Sequence, residues 1–297
     1  MSARYYPRDR SPPRRDRSPP RRFSRSRSRE RRRSPERGGP AGPRYYPRPR
    51  RSPSPRRARR VPPGPRPPPS PRGPNRPESS TERAIRWNKA LSSPRATSES
   101  ILDLADFAGA RLNAVNVATA IHRLGRLGKR ETDARLRRLL ALARERIGAE
   151  TWEPRHLSNV CWGLAKMGVD DAPLFGAVAT AALAVLDDFN DQAASNTVWS
   201  FATAGEKAPA LFDAVARWAA PRVATIREQA LTNMLWAFAH AGAAASAPLF
   251  AAVADDGRAL AFSVRGRAIV CWAFATVGAP AKRMLERIAD EYLFGVY

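Results

Sequence analysis

Apolar residues in the second half of this chain fall at helical spacing, and the pattern itself returns every 36 or 37 residues. Four phrases carry it: NVCWGLAKMG from Asn159, NTVWSFATAG from Asn196, NMLWAFAHAG from Asn233 and IVCWAFATVG from Ile269. Their tryptophans, Trp162, Trp199, Trp236 and Trp272, stand 37, 37 and 36 residues apart. A period of this length marks a helical repeat array, in which each unit buries its apolar face against its neighbours. The reading is an all-α fold: a right-handed α-solenoid of helical hairpins, each about 37 residues long.

Each unit divides into two helices. The first carries the phrase and stops at Gly168, Gly205, Gly242 or Gly278, where a left-handed C-terminal cap favours glycine. The second opens beside a proline in APLFGAVA, PALFDAVA and APLFAAVA, so that Pro173, Pro209 and Pro248 fall in a first turn that needs no amide hydrogen. NVATAIHRLG from Asn116 repeats the phrase with Thr119 in the tryptophan position, as an atypical first unit does. Short helices are expected at Ile85–Leu91 and Ile101–Ala108 ahead of it. The last unit keeps its first helix and ends in the charged PAKRMLERIADEYLFGVY, which reads as a cap. The helical domain is expected over 81–297, in units near 81–150, 151–188, 189–225, 226–261 and 262–297.

On a helical wheel at about 100° per residue, the core arc gathers Leu157, Cys161, Leu164, Ala165 and Gly168 in one unit. In another it gathers Leu231, Leu235, Phe238, Ala239 and Gly242. A second stripe gathers Arg155, Asn159, Gly163 and Lys166, then Gln192, Asn196, Ser200 and Thr203. It continues with Gln229, Asn233, Ala237 and His240, then Arg265, Ile269, Ala273 and Thr276. Side by side, such stripes would line one continuous groove. There Asn and Gln can read base edges, and Arg, Lys and His can meet phosphates. The repeated Asn has an equally good structural role, bonding to the backbone of the neighbouring unit. The tryptophans lie at the edge of the core arc and read as packing anchors between units rather than base-stacking platforms. The arginines of 130–146 are interspersed with Glu131, Asp133 and Glu145 and suit a solvated face as well as a nucleic-acid patch.

Charge and composition separate the first 80 residues from the rest. They hold 26 arginines against five acidic residues, a net of +21, and 21 of the 28 prolines. Such a segment buries too little to offset its ordering entropy, so residues 1–80 are expected to form a disordered basic arm. Its alternation at Ser24, Ser26 and Ser28, and its Ser-Pro pairs from Ser11 to Ser70, resemble the arginine–serine domains of splicing factors. An arm of this charge binds phosphate backbones through counterion release, and phosphorylation of its serines would cancel that charge. The remaining 217 residues carry 26 basic and 22 acidic side chains and are nearly neutral.

Catalytic signatures are missing from the sequence. His122, His156 and His240 lie on different repeats, and neither a metal-ligand spacing nor a phosphate-binding glycine loop or nucleophile elbow occurs. Neither an enzyme, a cofactor nor a small-molecule substrate is therefore expected. Cys161 and Cys271 occupy equivalent places on different repeats, which reads as small fillers rather than a disulfide. No run approaches the ~18 apolar residues of a membrane span.

The phrase N-x-x-W-[AG]-[FL]-A-x-x-G at a period of 37 resembles the heptatricopeptide-repeat proteins. These include the FAST-kinase-like and RAP-domain organelle RNA-binding proteins and relatives in kinetoplastid RNA-editing substrate-binding complexes. NAVNVATAIHRLGRLG at Asn113–Gly128 is similar to the entry unit of algal members, and the resemblance spans about Thr81–Glu291. It implies helical hairpins that bind single-stranded organellar RNA and support its processing, stability or translation without catalysis. No RAP domain follows Tyr297, so any cleavage attributed to that domain is not carried over. The alternative is a protein–protein scaffold of a ribonucleoprotein or splicing-associated complex. The repeats point to a mitochondrion or plastid, the arm to the nucleus. Expected partners are RNA and other ribonucleoprotein components, not a membrane.

Overall fold

The computed structural model describes residues 77–128, 133–242 and 247–294, with side chains as far as residue 290. The chain divides into two units, Met1–Pro69 and Ser70–Tyr297, and the described residues all belong to the second. The expected arm lies outside the described residues as far as residue 76.

Among the described residues the fold is all-helical, with twelve α-helices and no strand. In order these are α1 (Ser80–Leu91), α2 (Ser98–Ala108), α3 (Ala114–Leu127), α4 (Ala134–Ala149), α5 (Pro154–Met167) and α6 (Ala172–Ala184). They continue as α7 (Asp191–Ala204), α8 (Pro209–Ala219), α9 (Glu228–His240), α10 (Ala247–Asp256), α11 (Val264–Val277) and α12 (Lys282–Phe294). The odd-numbered helices pack in series from α1 to α11, each against the next, and α2, α4, α6, α8 and α10 form a second row. Residues 81–150, expected as one long unit, hold two helix pairs, α1/α2 and α3/α4. None of these helices is long and apolar enough to cross a membrane.

The helix ends follow from local chemistry. Asn113, Asn190 and Ser263 cap α3, α7 and α11 by accepting from the backbone amide three residues on. Ser79 and Thr97 begin α1 and α2 with reciprocal capping boxes. At the other end Gly168, Gly205 and Gly278 take positive φ between 65° and 75° as C-caps of α5, α7 and α11. Gly242 takes φ 59° one residue after Ala241, the C-cap of α9. Pro173 and Pro209 sit in the first turns of α6 and α8.

The expected arc supplies the core. Leu157, Cys161 and Leu164 are fully buried, as are Leu231, Leu235 and Phe238. The glycines placed on that arc are exposed, because they cap the helix beyond the contact. A recurring aromatic pair joins the rows. Phe175, Phe212 and Phe250 of α6, α8 and α10 meet Phe201, Phe238 and Phe274 of the following odd helix edge-on, with centroids 5.0, 5.2 and 4.8 Å apart. Each pair contributes about 0.5–1.5 kcal/mol beyond its buried area.

The small residue in the middle of the polar stripe has a packing role. Gly163, Ser200, Ala237 and Ala273 are all buried. A Cβ on Gly163 would stand 2.6 Å from the Ile121 carbonyl oxygen, so α3 and α5 meet backbone to backbone at that point. The stripe is therefore split: its centre is a helix–helix contact and its ends alone face outward.

Candidate nucleic-acid interface

The outward ends of the stripe converge on two adjoining clefts along the odd-numbered helices. The first, about 680 Å³, reaches from α1 across α3 and α5 to α7. Of the residues singled out from sequence it takes in Arg155, Asn159, Gln192 and Asn196. The second, about 120 Å³, takes in Gln192, Asn196, Gln229 and Asn233. Gln192 and Asn196 belong to both, so the two form one track. Lys166, Thr203, His240 and Arg265 are exposed but line neither cleft. Two further hollows, of about 620 and 750 Å³, lie at the glycine ends of the odd helices and are walled chiefly by Ala, Phe and Gly.

The repeated asparagine takes both of its roles. Asn116 is buried, and its Nδ2 donates to the Ala84 carbonyl oxygen of α1 at 2.9 Å, which is the structural role. Asn159, Asn196 and Asn233 are half-buried, and among the described residues their side-chain amides make no hydrogen bond. They line the clefts with free donors and acceptors.

Among the described residues, charge distinguishes the first cleft from α4 and from the second cleft. Arg123, Arg126 and Arg155 line it, and no aspartate or glutamate does. Arg123 donates to the Ser93 carbonyl oxygen at 2.8 Å, and its buried Nε has no partner. Neither Arg126 nor Arg155 forms an ion pair among the described residues. The arginines of α4 are differently placed. Arg135 is held by Asp133, Glu99 and Asp103, Arg138 by Asp106, and Arg146 by Glu150. That helix is a neutralised face rather than a cationic one. At the second cleft Arg227 is held by both carboxylate oxygens of Asp191 at 2.8 Å, leaving the amides to define it.

His122 and His156 also line the first cleft. Burial, then the charges of Arg126, Arg123 and Arg155, push the His122 imidazolium below its usual range, so the ring is neutral at pH 7. Burial lowers His156 in the same direction, with Glu153 opposing and Arg155 assisting.

Sequence reasoning missed His122, Arg123 and Arg126. Arg123 stands seven residues after Asn116, the place that Lys166 and His240 hold in later units, so extending the register to the tryptophan-free phrase finds it. Asn88 of α1 and the cap Asn190 have no such register and enter the cleft only through packing.

The tryptophans run alongside the track. Trp162, Trp199 and Trp236 are half-buried and Trp272 is 42% exposed. The His122 ring lies 4.8 Å from Trp162, and Lys166 Nζ stands 5.6 Å from the Trp162 ring and 5.1 Å from that of Trp199. Trp199 and Trp236 are 6.4 Å apart, and His240 stacks on Trp236 at 4.6 Å and 12°. Both thiols are free; Cys161 is buried and Cys271 half-buried.

Comparison with protein-family models gave no match for this chain, and comparison with curated proteins gave none either.

Proposed function

We propose that the protein is a non-catalytic RNA-binding repeat protein that holds single-stranded RNA along the clefts of its odd-numbered helices. The helix rows support the wider reading as a right-handed α-solenoid, since each odd helix touches its neighbours in series. One observation carries the functional reading. The cleft of about 680 Å³ gathers three arginines and several uncommitted amides with no carboxylate in its lining. Unpaired cations that share a cavity repel one another, and a polyanion relieves that repulsion. Side-chain amides beside the phosphate track offer bonds to base edges, which a single strand exposes. On the resemblance of the repeats, the RNA is organellar, in a mitochondrion or plastid, and the role is processing, stability or translation. The arginine-rich arm would add sequence-independent affinity.

The test is a salt titration of the full chain against a labelled single-stranded RNA, with Arg123, Arg126 and Arg155 together changed to Gln. Each single-strand phosphate that is no longer neutralised lowers the slope of log K against log salt by about 0.7, so the triple variant should fall by about 2 in slope and bind roughly tenfold or more weakly. An unchanged affinity and slope would leave the arm as the only RNA-binding element. Pull-down of protein partners alone, with no RNA retained, would return the scaffold reading.

A further inference from the structure

The chain has seven tryptophans, in two populations. Trp87, Trp152 and Trp218, which do not recur with the period, are 4%, 1% and 8% exposed and pack in the core. Of the four that recur, Trp162, Trp199 and Trp236 are half-buried and Trp272 is exposed. Of these only Trp236 packs against the core cluster. Among the described residues the indole N–H groups of Trp162, Trp199 and Trp236 make no hydrogen bond, and unlike those of Trp152 and Trp218 they are not buried. Each of the four rings is only partly covered, and they fall in register, one per unit, with His240 stacked on one face of Trp236.

We propose that this row is a base-stacking platform, on which successive bases of a single RNA strand stack against Trp162, Trp199, Trp236 and Trp272. The inference rests on the single-strand reading above and specifies how that strand is held. Two observations select nucleobases as the occupant. The row is continuous with the cationic cleft, because His122 lines that cleft and also packs on Trp162 at 4.8 Å. A cation is built into the row itself, since Lys166 Nζ stands within 5.1–5.6 Å of two indoles on neighbouring helices. Rings beside cations suit a strand that presents flat bases on one side and phosphates on the other. Stacking tolerates every base, because each has a π-face, so the row contributes affinity with little sequence preference and the cleft amides contribute the selectivity.

The experiment compares two probes with the full chain at one salt concentration: an oligouridylate and an abasic ribose-phosphate strand of the same length. The proposal expects the oligouridylate to bind more tightly, by roughly 5- to 150-fold for each base stacked. Trp199→Leu with Trp236→Leu should remove most of that difference while leaving the abasic affinity in place. Trp199→Phe with Trp236→Phe keeps a π-face and should retain part of it, which separates stacking from folding. Equal binding of the two wild-type probes would overturn the stacking platform and leave the arginine cleft standing. Equal loss of both probes in the Leu variant would overturn it as well, by making the rings structural. Failure of both strands to bind the wild-type chain would overturn the single-strand reading together with this inference.

Discussion

At the scale of single residues, burial and charge set the chemistry of three side chains. Cys161 is buried, and the loss of hydration pushes its thiol up to about 11, so roughly one molecule in a thousand carries the thiolate at pH 8. Cys271 is half-buried on an equivalent position. Iodoacetamide at pH 8 should therefore alkylate Cys271 well before Cys161 in the folded chain, as peptide mass spectrometry would record. His122 has a depressed folded-state pKa, so the free protein binds fewer protons there than the unfolded chain and loses stability as pH falls below about 6.5. On the proposed function, a phosphate between Arg123, Arg126 and Arg155 would offset the part of that shift that the arginines cause, though not the larger part that burial causes. RNA binding on the proposed function should then take up a proton and strengthen as pH falls from 7 toward 5.5. His122→Gln should flatten that dependence in a binding titration. Arg227 holds the Asp191 carboxyl at about 2, well under its usual range, so the pair's contribution is present above about pH 4 and lost as pH falls toward 2. Since Arg227 is 67% exposed, Asp191→Asn should cost no more than about 1 kcal/mol at neutral pH.

At the scale of elements, the spacing between odd helices depends on the small residue at their centre. Gly125 and Gly163 let α3 and α5 meet with 2.8 Å between the Cα of Gly163 and the place where a Cβ of Gly125 would stand. Neither backbone can shift without moving a whole helix, because the interior is close-packed. Gly163→Ala should therefore cost about 1–3 kcal/mol by overpacking, seen as a fall of several degrees in Tm. Ala237 already carries a Cβ at the equivalent site of α9, so Ala237→Gly leaves a small void and costs about 1 kcal/mol, from helix propensity. The glycine stops and first-turn prolines were legible from the sequence because they depend on one turn of backbone. The short helices expected at Ile85–Leu91 and Ile101–Ala108 are α1 and α2, but their pairing as a unit of their own was not legible, since they carry none of the repeated phrase.

At the scale of the whole molecule, the main helix contacts among the described residues are between neighbours in the two rows, so stability is expected to pass from unit to unit. Interior helices have neighbours on both sides and the outermost have them on one. Hydrogen exchange should accordingly be slowest in α5, α7 and α9 and fastest in α1 and α12. Uniform protection across all twelve helices would contradict a chain of nearest-neighbour interfaces. Long-range polar links follow the same period. Asp191 reaches Arg227, 36 residues on, and Glu228 accepts from the Ser263 amide, 35 residues on, tying the start of α7 to that of α9 and the start of α9 to that of α11.

The sequence by itself determined the helical class, the period, the glycine stops and the buried arc, because these depend on spacing along one chain and on local backbone chemistry. Only the tertiary structure decided which polar groups are left for a ligand. Arg123, Arg126 and Arg155 come from two helices and form no ion pair among the described residues, with no carboxylate in the cleft lining, whereas Arg135 and Arg138 read the same in the sequence and are held by α2. Asn116 and Asn159 share one place in the repeat; α1 takes the first into the interior, and the second stays in the cleft. Availability is a property of neighbours brought together by folding, and a one-dimensional period carries no record of it.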